Sequence, residues 1–392
     1  MKLLKILQKI KMQLEVWHDV KTAEAKPVSG KEKILFIFSR FHADPNNIYH
    51  KCGSGLTQRK VYDVLEDLGY DIYFGGQEDW WYPRNYIKGA KAIVYIAPAL
   101  PKFIKYHPKA KLILFANNSH VLVRNQRMRD SAKKWNLPVE SLGPEKYFLP
   151  AYRLSDYLMY SGNENCIRTF LDNGVPKEKI IHWNNSTDSE IFKPLPKKFD
   201  DFTFVLWSSE IGLRKGLPAV LEAWKKWNNP KAKLILMGMV TKKVGRQLLF
   251  KRNWYGKLVP DLPPNVRLFG SEKGFPAQDP FVREILGKSH VGVFPTLEDG
   301  QASTVIEMSA SGLPIITTEE SGYDLDPSWS YKVKMDDVES LVQAFGQAFN
   351  DPQLAQKAIN ARQFTIDHHN TETFKQSFKE FLIKVIGQAK IL

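Results

Sequence analysis

Cysteine and long apolar runs are scarce in this 392-residue chain. Only two cysteines occur, Cys52 and Cys166, far apart and without the spacing of a metal site. This usage indicates a reducing compartment and predicts a cytoplasmic protein without a disulfide scaffold. No run of about eighteen apolar residues occurs, so the sequence predicts no transmembrane helix. It also has no internal repeat and no low-complexity segment.

Acidic residues are few relative to basic ones. The chain has 42 Asp and Glu against 56 Lys and Arg, which gives a net charge of +14. Such a charge indicates an anionic partner, which could be a phospholipid surface, a nucleic acid or a phosphorylated substrate. A hydrophobic content of 43% predicts a fully globular protein, and the length predicts two domains, each with its own core.

The first seventeen residues form an amphipathic pattern, with leucine and isoleucine on one side of a helix and lysine mostly on the other. A basic helix of this kind can lie on an anionic membrane, so residues 1–20 are a candidate peripheral anchor on the cytoplasmic face. Packing of the same apolar side on the protein's own core is the alternative. Residues 22–31 read as a linker.

Residues 291–317 carry more interpretable chemistry than any other stretch. An apolar run suits a buried parallel strand, an acidic turn then carries Asp299, and an amphipathic helix carries Glu307. Acids among outward-facing N–H groups suit a ligand with both hydroxyls and phosphates, such as a sugar nucleotide. Solvated loop and helix charges are the alternative. The backbone amides expected to face the crevice beyond the strand ends belong to Gly300, Gln301, Ala302 and Ser303.

From residue 33 onward, apolar strands alternate with helices, which predicts an α/β fold. A glycine-rich turn, Gly53-Ser54-Gly55, joins the first strand to its helix. Such a turn can bring backbone amides close to a phosphate, although an ordinary tight turn has the same composition.

Residues 155–194 resemble the end of the N-terminal domain in family 4 of the glycosyltransferases. Three motifs carry this resemblance in the family's order: Gly174-Val175-Pro176, Asn185-Ser186-Thr187-Asp188 and Phe192-Lys193-Pro194. The interior of the second motif departs from the family's Asn-Gly-Val-Asp, and an ordinary helix stop and loop would be the alternative. With the motifs that follow, the resemblance covers residues 33–386.

The resemblance implies the GT-B architecture, in which two Rossmann-like domains face each other across a cleft and the C-terminal helix crosses back to the N-terminal domain. It divides the chain into a basic amphipathic leader and linker (1–31), an N-terminal acceptor-side domain (32–195), a C-terminal nucleotide-sugar-binding domain (196–365) and the returning C-terminal helix (366–392).

The second domain contains a Lys-Gly pair, Lys215-Gly216, that matches the family. In the family, this lysine and an arginine five residues earlier hold the donor's pyrophosphate. Glu210 stands in the arginine's place here, so Arg214 is the candidate substitute. A solvated surface lysine is the alternative for Lys215. Gly270 and Ser271 form a strand end that resembles the position where the family binds the nucleotide base. An uninvolved loop is the alternative.

Asp299 and Glu307 have the spacing of the family's two acids. In the family, the second acid binds the ribose hydroxyls and the first binds hydroxyls of the transferred sugar. This chain departs from the family's pattern at two points. It has Asp at the first of the two acid positions, and Gly300-Gln301-Ala302 stands where the family has a run of glycines.

One histidine, His120, lies where the family often has a histidine facing the donor sugar. In another register Asn117 takes that position, and a structural histidine is a further alternative.

The resemblance implies glycosyl transfer from a nucleotide sugar with retention at the anomeric carbon, and it assigns Lys215, Asp299 and His120 to catalysis. We expect a UDP- or GDP-sugar co-substrate, no cofactor and no metal. Basic aromatic stretches of the first domain favour a lipid-linked acceptor in cell-surface polysaccharide biosynthesis. A soluble sugar or a protein acceptor is the alternative.

A function of another class, nucleic-acid binding without catalysis, finds its best local support at residues 250–255, FKRNWY. No recognised nucleic-acid module accompanies this run, and the sugar-nucleotide motifs would then be coincidence. We therefore do not expect a nucleic acid as the partner.

Overall fold

The computed structural model describes residues 31–38, 53–76, 82, 84–139, 142–196, 199–208, 211–239, 262–271 and 279–387. Three sequence predictions fall outside these residues: the leader helix, the replacement at Glu210 and the basic run at 250–255.

The first half of the chain forms a six-stranded parallel sheet in the order β2-β1-β3-β4-β5-β6. Its strands are β1 (Lys33–Phe38), β2 (Asp71–Gly76), β3 (Ala90–Tyr95), β4 (Lys111–Ala116), β5 (Tyr157–Tyr160) and β6 (Ile180–His182). Its helices are α1 (Gly53–Asp67), α2 (Arg84–Gly89), α3 (Leu100–Phe103), α4 (Val121–Lys134), α5 (Glu145–Leu154) and α6 (Glu164–Leu171). Alternate side chains of β1 enter two different cores, Leu35 one and Phe36 the other, because helices cover both faces.

The second half repeats this plan with a parallel sheet in the order β12-β11-β10-β7-β8-β9. Its strands are β7 (Phe202–Trp207), β8 (Ala232–Met239), β9 (Val266–Ser271), β10 (Val291–Phe294), β11 (Ile315–Thr317) and β12 (Ser330–Lys332). Its helices are α7 (Leu217–Trp227), α8 (Pro280–Lys288), α9 (Ser303–Ala310), α10 (Val338–Phe349), α11 (Leu354–His368) and α12 (Thr371–Ile386). Short 3-10 turns occur at Ala97–Ala99, Ile104–Tyr106, Lys177–Lys179, Leu213–Lys215 and Glu319–Ser321.

The last helix, α12, returns to the first sheet, as predicted. Asn370 caps it by accepting a hydrogen bond from the Thr373 amide at 2.7 Å. Its aromatic residues Phe374 and Phe378 are buried in the same core as Val61 and Leu65 of α1. The second half of the chain is therefore anchored on the first by its own C-terminal helix.

The predicted turn at Gly53-Ser54-Gly55 is wrong in one respect. These three residues are the first turn of α1 rather than a loop before it. Glycine disfavours a helix, but packing of an apolar face supplies most of a helix's stability in a folded protein. The buried Val61 and Leu65 of α1 provide that face.

Candidate active site

Two neighbouring strands, β7 and β10, bring the principal candidate residues together. These strands pair in parallel, with Val291 opposite Phe204, so the loops after them leave the same edge of the sheet. Lys215 lies in the 3-10 turn after β7, and Asp299 lies in the loop after β10.

Gly216 allows these two loops to approach each other. It has a φ of 73°, and a Cβ at this position would lie 2.2 Å from the carbonyl oxygen of Pro295. Only glycine meets both conditions without strain. The sequence therefore fixes the Lys215 turn directly against the loop that carries Asp299.

Lys215 and Arg214 converge on one carboxylate. The Lys215 ammonium donates to Oδ2 of Asp299, and Arg214 Nη1 lies 3.4 Å from the same oxygen. The ammonium also lies 4.6 Å from the ring centroid of Phe294. Burial lowers the pKa of Lys215 to about 8, the Arg214 charge acts in the same direction, and Asp299 opposes both. Lys215 is therefore a buried cation rather than a solvated surface lysine.

The cluster also includes Arg124, a residue of the first domain that sequence reasoning missed. Glu298 is fully buried, and its Oε1 lies 3.3 Å from Nε of Arg124 on α4 and 3.6 Å from Arg214 Nη1. One turn further along α4, Arg127 lies 3.5 Å from Glu320. The available sequence signal was the i, i+3 spacing of two arginines on one helix face.

Three of the four backbone amides predicted to face the crevice already have acceptors. The amide of Gly300 donates to Asn117 O at 2.9 Å, that of Gln301 to Ser161 O at 3.1 Å and that of Ala302 to Ser321 O at 3.1 Å. The loop is packed so closely on the first domain that a Cβ on Gly300 would lie 2.5 Å from Asn117 O. In this arrangement of the domains, these three amides are bonded within the protein.

Ser303, the fourth of these positions, opens helix α9. Its Oγ accepts a hydrogen bond from Nδ2 of Asn185, at 2.8 Å. Thus its hydroxyl is bonded to the segment that joins the two domains.

Glu307 lies on the side of α9 that faces the first domain. It is only 3% exposed, which excludes the interpretation as a solvated helix charge. Its charge acts on the buried ammonium of Lys60 on α1, which donates to Ser186 Oγ at 2.5 Å. Burial lowers the pKa of Lys60 to about 7, while Asp188 and Glu307 oppose that shift.

The structure does not bring His120 into the cluster of Lys215 and Asp299. Its ring packs against Tyr152 and Phe170, with centroids 4.7 Å and 5.7 Å away. Burial lowers its pKa to about 4, so the imidazole is neutral at physiological pH. Asn117, the alternative from the same motif, accepts a hydrogen bond from the Gly300 amide in the loop after β10. His120 therefore packs among aromatic rings apart from Lys215 and Asp299, and its role toward the donor stays a prediction.

The remaining candidates lie at the edges of this region. Gly270 and Ser271 end the outermost strand β9 and pair with Gly238 and Met239 of β8, so β7 and β8 separate them from β10. Gly53, Ser54 and Gly55 begin α1.

Within the described ranges, no group of three or more His, Cys, Asp or Glu side chains is arranged to hold a metal ion. A search of the same ranges for helices long and apolar enough to span a membrane finds none.

Residues 203–351 match the family model described as Glycosyl transferases group 1, a range that includes Lys215, Asp299 and Glu307. No curated protein matches the chain. Among solved structures, a sucrose-phosphate synthase from Thermosynechococcus elongatus is 14% identical with a TM-score of 0.71, covering 90% of this chain and 99% of that one. The Anabaena protein Alr3699/HepE in complex with UDP-glucose is 14% identical with a TM-score of 0.61 and the same two coverages. WaaG, a glycosyltransferase involved in lipopolysaccharide biosynthesis, is 13% identical with a TM-score of 0.57, covering 89% and 99%.

Proposed function

Since residues 203–351 match glycosyl transferases group 1 and both halves of the chain have the predicted GT-B fold, we propose that this protein is a retaining glycosyltransferase. It moves a sugar from a nucleotide sugar to a saccharide acceptor. The observation that supports this most is the convergence of Lys215 and Arg214 on Asp299 at the carboxyl end of the second sheet.

The two cations suit a diphosphate. Arg214 offers a planar fork of N–H donors, and Lys215 offers a compact charge, so together they can hold adjacent phosphates. Because Lys215 is only 5% exposed, its charge is poorly screened and acts strongly on a nearby anion. In this role the pair stabilises the negative charge that develops on the departing nucleoside diphosphate.

Asp299 contacts both cations. An incoming diphosphate competes for the same two partners, because it carries more charge than one carboxylate. Asp299 then becomes available to accept hydrogen bonds from hydroxyls of the transferred sugar. We assign Glu307 to the ribose hydroxyls, and Gly270 and Ser271 to the neighbourhood of the base.

The donor and acceptor are proposed by chemical class. A UDP- or GDP-sugar is the donor, supported by the UDP-glucose bound to Alr3699/HepE. The acceptor is a lipid-linked saccharide of cell-surface polysaccharide biosynthesis, supported by the net charge of +14. The enzyme works peripherally on the cytoplasmic face of a membrane, with residues 1–20 as the anchor.

A donor panel tests the reaction. The full-length protein is incubated with UDP-, GDP- and ADP-sugars, and nucleotide binding is followed by thermal shift and transfer by product analysis. We expect one nucleotide class to raise the unfolding temperature, and NMR of the product to show the donor's anomeric configuration. Inversion would refute the retaining mechanism. Salt-sensitive oligonucleotide binding without any nucleotide-sugar binding would refute the enzyme assignment.

Deletion of residues 1–20 tests the anchor. We expect the deleted protein to lose binding to anionic vesicles while transfer to a soluble acceptor is retained, because the leader supplies membrane affinity only. Sedimentation with anionic and zwitterionic vesicles measures this. Equal sedimentation of both proteins would exclude residues 1–20 as the anchor.

A further inference from the structure

We propose that Asn185 is a positioning residue that ties the donor-side loop, residues 299–303, to the segment joining the domains and to α1. Gln301 serves as its partner in this role rather than as a contact to the donor. This inference rests on the proposed function, because its catalytic consequence requires that the loop carry the sugar-binding Asp299.

The side chain of Asn185 uses its full hydrogen-bonding capacity. Its Oδ1 accepts from Thr57 Oγ1 at 3.1 Å and from the Ser186 amide at 2.9 Å. Its Nδ2 donates to Gln301 O at 3.0 Å and to Ser303 Oγ at 2.8 Å. Two lone pairs and two N–H groups are all that a carboxamide offers. Neither an acid nor an apolar side chain of this size could make the same four bonds.

The main chain of Asn185 adds two further connections. Its amide donates to Gln301 Oε1 at 2.5 Å, and its carbonyl accepts from Nδ1 of His369 at 2.8 Å. Asn185 is only 6% exposed, so these bonds lie where water does not compete with them. One residue therefore joins four parts of the fold: α1, the interdomain segment, the donor-side loop and the junction of α11 with α12.

Gln301 directs its side chain toward the interdomain segment. Besides Oε1 on Asn185, its Nε2 lies 3.3 Å from Asn184 Oδ1, and its amide donates to Ser161 O at 3.1 Å. The side chain is thus held by two adjacent residues of that segment. This arrangement explains a departure noted in the sequence, where Gln301 and Ala302 replace a glycine run.

The geometric consequence concerns Asp299, two residues before Gln301. Loss of the Asn185 side chain removes its bonds to Gln301 O and Ser303 Oγ and so releases the loop on the side of the interdomain segment. The backbone bonds of the loop to Asn117, Ser161 and Glu320 remain, as do the contacts of Asp299 with Lys215 and Arg214. A misplacement of about 1 Å in a positioning element can cost about 10²-fold in rate. We therefore expect loss of Asn185 to reduce transfer although it does not touch the substrate.

A purely structural role is the competing explanation, and the chain offers a matched control. Tyr95 and Ser155 share a buried hydrogen bond of 2.8 Å inside the first domain, away from the donor-side loop. Tyr95→Phe removes one buried bond without changing the shape of the side chain. Its effect on stability gives the baseline for a bond without a positioning role.

The experiment compares full-length wild type, Asn185→Ala, Gln301→Ala, the double variant and Tyr95→Phe. Transfer from the active nucleotide sugar gives kcat and KM, and hydrogen–deuterium exchange follows residues 299–303. We expect Asn185→Ala to lower kcat/KM by about 10²-fold. Gln301→Ala should lower it as well, and the double variant should fall at least as far as either single variant, because each side chain bonds the main chain of the other residue. Exchange at Gly300 and Gln301 should accelerate in Asn185→Ala and stay unchanged in Tyr95→Phe.

Two results would overturn the proposal. One is an Asn185→Ala protein with wild-type kcat/KM and only the loss of stability seen in Tyr95→Phe. The other is an exchange rate at Gly300 and Gln301 that is the same in Asn185→Ala as in wild type. If the wild-type protein transfers no sugar, the proposed function fails. Hydrogen–deuterium exchange then tests the positioning role by itself, since unaltered exchange at Gly300 and Gln301 would still refute it. If Asn185→Ala does not fold, Thr57→Val replaces it in the same measurements, because this change removes only the bond from Thr57 Oγ1 to Asn185 Oδ1.

Discussion

Replacement of Lys215 by methionine is the sharpest test of the proposed clamp. Methionine fills a similar volume and keeps the contact with Phe294, so the change removes mainly the charge. A hydrogen bond to a charged group contributes about 1.5–3 kcal/mol, and removal of one group that stabilises developing charge costs about 10²–10³-fold in kcat. Arg214, which lies 3.4 Å from Asp299, remains as the second cation. We therefore expect the lower end of that range of losses, about 10²-fold in kcat/KM.

The pH dependence of donor binding gives a second measure of the same residue. Burial lowers the pKa of Lys215 to about 8, so the ligand-free protein loses this cation as the pH rises through 8. A diphosphate binds the protonated form better, so donor affinity should be constant well below pH 8 and decrease above it. Lys215→Met should bind more weakly and should lack this decrease.

The contribution of Lys215 to folding stability should change with pH in the opposite direction to the donor affinity. The folded pKa of about 8 lies below the ordinary 10.5, so the unfolded chain binds more protons between these values. The contribution of Lys215 to stability therefore rises with pH across this window, by about 3 kcal/mol in total. The difference in unfolding free energy between wild type and Lys215→Met should show this trend.

Lys357 provides the matched control. Its ammonium lies 3.3 Å from Asp351 and 4.4 Å from the ring centroid of Tyr331, so it repeats the chemistry of Lys215 elsewhere in the second domain. Isothermal titration with the active nucleotide sugar from pH 6.5 to 9.5, and steady-state transfer, would compare wild type with both methionine variants. Equal loss in Lys357→Met, or a Lys215→Met protein with the wild-type pH profile, would refute the clamp.

Three further variants test other parts of the site. Gly216→Ala should lower the free energy of unfolding by about 2–4 kcal/mol, measured by denaturant titration, because its Cβ would meet Pro295 O at 2.2 Å. Gly174→Ala is its control, since Gly174 also has a positive φ but no atom within 4 Å of the added Cβ. The control should lower the free energy of unfolding by about 1 kcal/mol, and equal losses in the two variants would contradict the steric reasoning. Glu307→Ala should raise KM for the donor by about 10-fold, and an unchanged KM would remove it from the ribose site. His120→Phe should keep kcat/KM within about twofold, since its ring serves packing, and a 10²-fold loss would restore its catalytic role.

The elements that carry the clamp could be predicted because their signals are local. The apolar runs Phe202–Trp207 and Val291–Phe294 form the strands β7 and β10 of the predicted α/β fold. Parallel sheets place the loops after neighbouring strands at one edge, so Lys215 and Asp299 meet although they are far apart in sequence.

Contacts between the domains could not be predicted, since they depend on how two separately folded units dock. The i, i+3 spacing of Arg124 and Arg127 indicates a basic face of α4 but not its partner, so the pairing of Arg124 with Glu298 could not be predicted. The amides of the donor-side loop looked available when the second domain was considered alone, and docking on Asn117 and Ser161 gave them acceptors. The position of His120 could not be predicted for another reason, because a loop has no periodicity that fixes its register against a family motif.

The chain crosses between the two halves twice, and both crossings lie at one place. The segment around Asn185 carries the chain outward and the turn at His369 carries it back, and Thr187 N donates to His369 O at 2.9 Å. We expect two such segments of backbone, bonded side by side, to act as a hinge that permits rotation about one axis and resists twisting. We expect the greatest travel at the far end of α4, where Trp135 Nε1 now donates to Asp336 at 2.6 Å. A pair of fluorescent labels there would register opening that labels beside Asn185 would not detect.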